Sequence, residues 1–233
     1  MQITAELVFA GGSMTRAQTP RSMQRGRVLD AYRGRGHRNS NLWLAYSVKL
    51  NQDLLFHSDT SLVHWLTYLE SDTSVVDFAP ISDEMSSTVG VSPASAMLVR
   101  YPAAGWEIHI VAARDPELAH IETQFGRVAV RVVGIDELRM RSKVAIRWLK
   151  AISYAGMFRY EDMTPVMNQL ATVFKQASSG TMDELCEHLA GYDRASVFGA
   201  AAKAAIHGYI VLDLSSQGLC GGSRWTVNPW PGR

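Results

Sequence analysis

The chain has 233 residues, 47% of them hydrophobic and 19% charged, with a formal net charge of +1. That length holds one large domain or two small ones, and the near-neutral balance singles out no partner by bulk charge. No stretch nears the ~20 apolar residues of a membrane span. The apolar start, Met1–Gly12, lacks a basic region ahead of it and is a poor signal peptide. Cys186 and Cys220 have no close Cys or His neighbours with which to build a zinc site. A cytoplasmic protein with reduced thiols and no membrane contact is expected.

The first segment, residues 1–41, is a basic arm. Arg16, Arg21, Arg25, Arg27, Arg33, Arg35 and Arg38 face only Glu6 and Asp30, with Gly26, Gly34 and Gly36 interleaved. Such an arm is either solvated or tracks phosphates, which arginine grips through paired hydrogen bonds. Leu42–Leu50 and Leu54–His57 are short apolar runs. Asp59 or Thr60 is placed to cap a helix to about Glu70, with Leu62, Trp65, Leu66 and Leu69 on one face. Val75–Phe78 reads as a strand and the Ser/Gly/Pro-rich Met85–Ala94 as a loop. Ala96–Tyr101 and Trp106–Ala113, split by Pro102–Gly105, predict a β-hairpin whose second strand is buried on both faces. Pro116–Phe125 looks helical. Arg127–Val133 reads as a strand and a helix from Asp136 to about Tyr154 follows, which makes residues 42–155 an α/β sandwich with a mixed sheet.

From Thr164 the pattern changes to short helices over 164–177, 181–190 and 193–207, with Thr181 and Glu184 spaced as a capping box. Strands at Tyr209–Leu214 and Arg224–Val227 flank the loop Ser215–Gly222. Three helices and a two-stranded ribbon outline a winged helix over residues 156–233. Its third helix carries only Arg194 and Lys203 among alanines, a composition for packing rather than for reading bases.

Several phrases resemble the TnsA-type endonuclease subunit of heteromeric cut-and-paste transposases. Ser47-Val-Lys49 resembles the S-x-K lead-in to its nuclease helix, and Leu62–Val76, with Tyr68-Leu-Glu70, resembles the helix ending and strand start after it. Phe125–Arg131, Asp136-Glu-Leu-Arg139 and Val144–Tyr154 are similar to its last core strand and the helix beyond. His207–Leu214 is similar to its C-terminal wing. The resemblance implies a restriction-endonuclease-like, PD-(D/E)xK sheet flanked by helices, followed by a winged-helix-like domain. It also implies DNA as a ligand, and a transposase and an AAA+ regulator as partners.

The resemblance further implies a Mg²⁺ site of acidic residues and a lysine. Here those positions fall near Val63, Ala96, Ile110 and Ala112, none of which can ligate a hard cation. The expectation is therefore a catalytically inactive, nuclease-shaped DNA-binding or adaptor subunit of a mobile element, without metal or cofactor. The alternative is a Mg²⁺-dependent endonuclease whose site has migrated to Asp59, Glu107 and His109, the last two on one face of a strand. Expected contacts to DNA or partners are Arg25, Arg27, Arg33 and Arg35 in the arm. To these the long helix adds Arg139, Lys143, Arg147 and Lys150, spaced as one stripe.

Overall fold

The computed structural model describes residues 41–56, 58–81, 83–90, 96–102, 104–112, 119–123 and 126–229. The arm arginines Arg25, Arg27, Arg33 and Arg35 lie outside them. The described chain is mixed α/β, with a five-stranded mixed sheet flanked by helices.

Two short strands open it, β1 (Trp43–Ser47) and β2 (Gln52–Phe56), paired antiparallel as a hairpin. Asn51 turns the hairpin at a positive φ of 52°, a conformation that asparagine tolerates better than most residues. Helix α1 (Asp59–His64) follows and widens into a π-helical segment, Trp65–Glu70, whose six residues are all buried. The N-cap is Ser58, not Asp59 or Thr60, with its Oγ accepting from the Ser61 N–H at 3.1 Å. Asp59 instead accepts from Asn41 at 2.9 Å and from the Trp43 indole at 2.8 Å.

The large sheet contains β3 (Asp77–Pro80), β4 (Ala96–Tyr101), β5 (Gly105–Ala112), β6 (His120–Thr123) and β7 (Gly126–Gly134), in the order β3-β4-β5-β7-β6. β3, β4 and β5 run antiparallel in succession, while β5 and β7 are parallel. Gly105, at φ 77°, makes the β4–β5 turn. Strand β5 is central, and Ile108, His109 and Ile110 are fully buried on it.

Two expectations fail here. Helix α2 (Asp83–Val89) occupies the expected loop. Met85 and Val89, one turn apart, pack on the second face of the sheet against Ala96, Leu98, Ile108 and Ile110, and this burial overrides the Ser-rich composition. The expected helix over Pro116–Phe125 contains edge strand β6, paired antiparallel with β7 and burying Ile121.

Helix α3 (Ile135–Met157) buries Leu138, Ala145, Ala151, Ile152 and Ala155. After it come α4 (Thr164–Gln176), β8 (Ser179–Thr181), α5 (Met182–His188), α6 (Arg194–Ile206), β9 (Ile210–Leu212) and β10 (Arg224–Val227). The three strands form an antiparallel sheet in the order β8-β10-β9. The capping box at Thr181 and Glu184 is formed, and Gly208, at φ 77°, follows the last helix. The boundary expected at 155 falls inside α3, and a single apolar cluster runs from Val48 and Trp65 through Ala151 to Trp225. Residues Asn39–Arg233 accordingly make one compact unit.

Candidate functional site

The concentration of polar groups around the first face of β5 is set by strand alternation. Glu107, His109 and Val111 point to the α1 side, while Ile108 and Ile110 point to the α2 side. His109 sits in parallel register with Arg131 of β7 and opposite Met97 of β4. Its Nε2 is 3.4 Å from a Glu107 carboxylate oxygen and 3.3 Å from the Tyr101 hydroxyl. The ring lies 5.3 Å, centroid to centroid, from His64 of α1 and 6.0 Å from Tyr101. Both histidines are buried.

Above this cluster is a cleft of about 440 Å³ lined by Asp72, Ser74, Tyr101, Pro102, Ala104, Glu107 and Arg131. The Asp72 carboxylate is committed to the turn after the helix, accepting from the Ser74 N–H at 2.8 Å and its hydroxyl at 2.6 Å. Arg131 lies 5.0 Å over the Tyr68 ring and Arg141 lies 4.5 Å over the same ring. Both guanidiniums reach the Glu137 carboxylate at 3.8 Å, and the Tyr68 hydroxyl also donates to it. These aromatic–cation contacts hold Arg131 at the cleft wall.

Burial and the neighbouring Arg131 push His109 down to about 4, so the imidazole is neutral at pH 7. Burial, then His109 and Arg131, lower His64 well below the ordinary histidine value. Burial raises the Tyr101 phenol, and burial with the Glu137 hydrogen bond pushes Tyr68 up to about 12. The cleft wall therefore offers a carboxylate, a protonated phenol and a guanidinium, with the neutral His109 imidazole buried behind Glu107 and Tyr101. That set can exchange a proton and hold an anion through Arg131.

The structure brings Glu107 and His109 together but keeps Asp59 apart. Ser61 and His64 line a small cavity with Met97 and Val111, whereas Asp72 and Ser74 line the cleft with Glu107. The helix thus runs opposite to β5, and Asp59 belongs to the Val111 end. Four strand residues separate that end from Glu107, roughly 13 Å. The positions read as catalytic in the resemblance also divide. Ala96 and Ile110 are register partners and, with Ala112, belong to the apolar layer under α2. Val63 packs in the opposite layer.

A Mg²⁺ ion does not fit either set. The first offers no oxygen ligand, and the second offers one carboxylate and one imidazole beside a guanidinium, which repels a divalent cation. Among the described residues, no three His, Cys, Asp or Glu side chains gather as a metal cluster.

Two of the basic residues expected on one stripe behave differently from the rest. Arg139 pairs with Asp136 at 2.9 Å while remaining highly exposed. Arg147 turns inward, donating from Nη1 to the backbone carbonyls of Leu214 (3.4 Å) and Ser215. Lys143 and Lys150 are exposed. Leu149 is exposed, whereas Trp148 is half-buried and Ile152 buried.

Sequence reasoning passed over His64, Tyr68, Tyr101 and Arg131. His64 and Tyr68 carried a signal, four residues apart on one helix, but the strand partners became visible only through register. No helix among the described residues is long and apolar enough to cross a membrane. Comparison with family models, with curated proteins and with solved structures returned no match to this chain.

Proposed function

We propose that this protein is a TnsA-like, nuclease-shaped subunit that binds DNA and partner proteins without cutting, as an adaptor in a transposition or mobile-element system. The observation that carries the reading is the strand order. A helix, three successive antiparallel strands, a crossover and a strand parallel to the third follow the order of a restriction-endonuclease-like core. Ala96, Ile110 and Ala112, the positions that the resemblance reads as acid and lysine sites, belong to an apolar layer.

Two further features support it. The framework phrases quoted for the resemblance touch one another, since Ser47, Val48 and Lys49 all donate to Glu70. The C-terminal order helix, strand, helix, helix, strand, strand, with the last strand in the middle of the sheet, suits a winged helix. Its α6 is buried along most of its length, from Val197 to Ala202 and from Ala204 to Ile206, so this unit would hold partners rather than read bases. The partners would be a transposase and an AAA+ regulator, met in the cytoplasm.

The test is a binding and nicking assay on duplex DNA with Mg²⁺ or Mn²⁺. Salt-dependent binding without cleavage is expected, weakened when Arg25, Arg27, Arg33 and Arg35 are all changed to Ala. A second reading, an active nuclease with a migrated site, rests on the contact between Glu107 and His109 beside the cleft. Cleavage abolished by Glu107→Ala would establish that reading and reject the adaptor.

A further inference from the structure

Helix α3 turns a mixed apolar and cationic face to solvent. Arg139, Lys143, Ile146, Lys150, Ser153 and Met157 follow one another at intervals of four, three, four, three and four residues, the spacing of a helix–helix seam. Ile146 is 70% exposed and Met157 61%, with Met140 (79%) and Leu149 exposed on opposite flanks of the seam. Of the exposed apolar residues, Ile146 and Met157 lie on this seam itself, at about 100° of turn per residue.

The charge on this face has one sign. Both acids of α3, Asp136 and Glu137, lie in its first turn. Asp136 is held by Arg139, and Glu137 by Arg131, Arg141 and Tyr68. Among the described residues, Lys143 and Lys150 have no carboxylate within ion-pair distance.

We propose that this face docks an amphipathic helix of another protein, with apolar residues along its seam and acidic residues on its flanks. Charge argues against the other occupants. A second copy would set Lys143 and Lys150 against cations of the same helix. The chain's own N-terminal arm carries seven arginines against Glu6 and Asp30, the wrong sign. DNA phosphates would satisfy the lysines but leave Ile146 and Met157 in water. The inference stands whether or not the adaptor reading holds.

The experiment titrates the full chain into a fluorescein-labelled amphipathic peptide of about three heptads, with leucine in the seam and glutamate on the flanks. A lysine-flanked twin and a proline-broken version serve as controls, with fluorescence anisotropy as the readout. The glutamate-flanked peptide should bind and both controls should not. Ile146→Asp should weaken binding about tenfold or more with an unchanged thermal melt. Combined Lys143→Glu and Lys150→Glu should switch preference to the lysine-flanked peptide. Equal binding of all three peptides, or none, overturns the proposal. A dimer seen by sedimentation and dissociated by Ile146→Asp would give the face to a second copy. Loss of duplex DNA binding in Ile146→Asp, with no peptide binding by the parent chain, would give it to DNA. Either result also rejects the helix partner.

Discussion

The buried carboxylate of Glu70 accepts a hydrogen bond from the Ser47 hydroxyl at 2.8 Å, joining the end of the first hairpin strand to the end of the π-helical segment. Its second oxygen accepts from the backbone N–H of Val48 at 2.6 Å and of Lys49 at 3.2 Å. Lys49 returns the contact by donating from Nζ to the Leu69 carbonyl at 2.7 Å and to the Asp72 carbonyl. The hairpin turn and the helix end thus satisfy each other's backbone groups, which a buried helix terminus needs. Glu70→Ala would leave one hydroxyl, two N–H groups and a buried ammonium without their carboxylate. A loss of about 3–5 kcal/mol in urea-induced unfolding is expected, and Glu70→Gln should lose less.

Lys49 supplies a test in alkaline solution. Burial outweighs the attraction of Glu70 and Asp72 and pushes its ammonium down to about 8. The unfolded chain keeps the proton up to the ordinary lysine range, near ~10.4. Between these values the unfolded state binds more protons, so stability should rise with pH from about 8 to about 10. Denaturant midpoints at both ends of that window measure the slope. Lys49→Met should flatten it, and an unchanged slope would show that another group is responsible.

Acid should act in the opposite sense on the histidine pair. His109 is pushed down to about 4 and His64 is lowered as well, by burial first in both cases. The unfolded histidines protonate near ~6.5, so stability is fully present above that pH and is lost as pH falls toward 4. His109 by itself accounts for about 3 kcal/mol of that loss. In His64→Leu, two ring nitrogens that meet no protein partner are removed from the core. The variant should gain about 1 kcal/mol at pH 7 and lose part of the acid sensitivity. Equal acid profiles for variant and parent would remove His64 from the account.

Packing between α3 and α6 depends on a missing side chain. A Cβ on Gly199 would come within 2.7 Å of the Phe158 ring and 3.0 Å of the Tyr154 backbone carbonyl. The ring can shift only against its own neighbours, and the carbonyl belongs to a helix. Gly199→Ala should therefore cost about 1–3 kcal/mol despite alanine's better helix propensity. A thermal melt at or above that of the parent would show that the two helices separate more easily than this contact implies.

Periodicity alone made much of the chain legible. The apolar runs at Ala96–Tyr101 and Trp106–Ala113, split by turn residues, and the helical stretch after Asp136 became β4, β5 and α3. The Thr181 capping box became the start of α5. These are local signals, written in side chains that interact within a few residues of one another. The Ser-rich segment at 83–89 became a helix because burying Met85 and Val89 under the sheet outweighs turn propensity, and no local rule includes the sheet.

By itself, the sequence determined that Val63, Ala96, Ile110 and Ala112 carry neither an acid nor a lysine. It also determined that Glu107 and His109 share a strand face, because alternation requires it. Only the tertiary structure decided which long-range neighbours those two have. Parallel register brought Arg131 beside His109, and the α1 direction brought His64 to the ring while taking Asp59 to the far end. The same holds for the basic stripe. Helical spacing placed Arg147 among its neighbours, but the carbonyls of Leu214 and Ser215, nearly seventy residues on, drew it inward and left Ile146 on the open face. Side-chain direction within an element follows from backbone geometry, whereas the partner that meets it is fixed by how distant elements pack to bury the core.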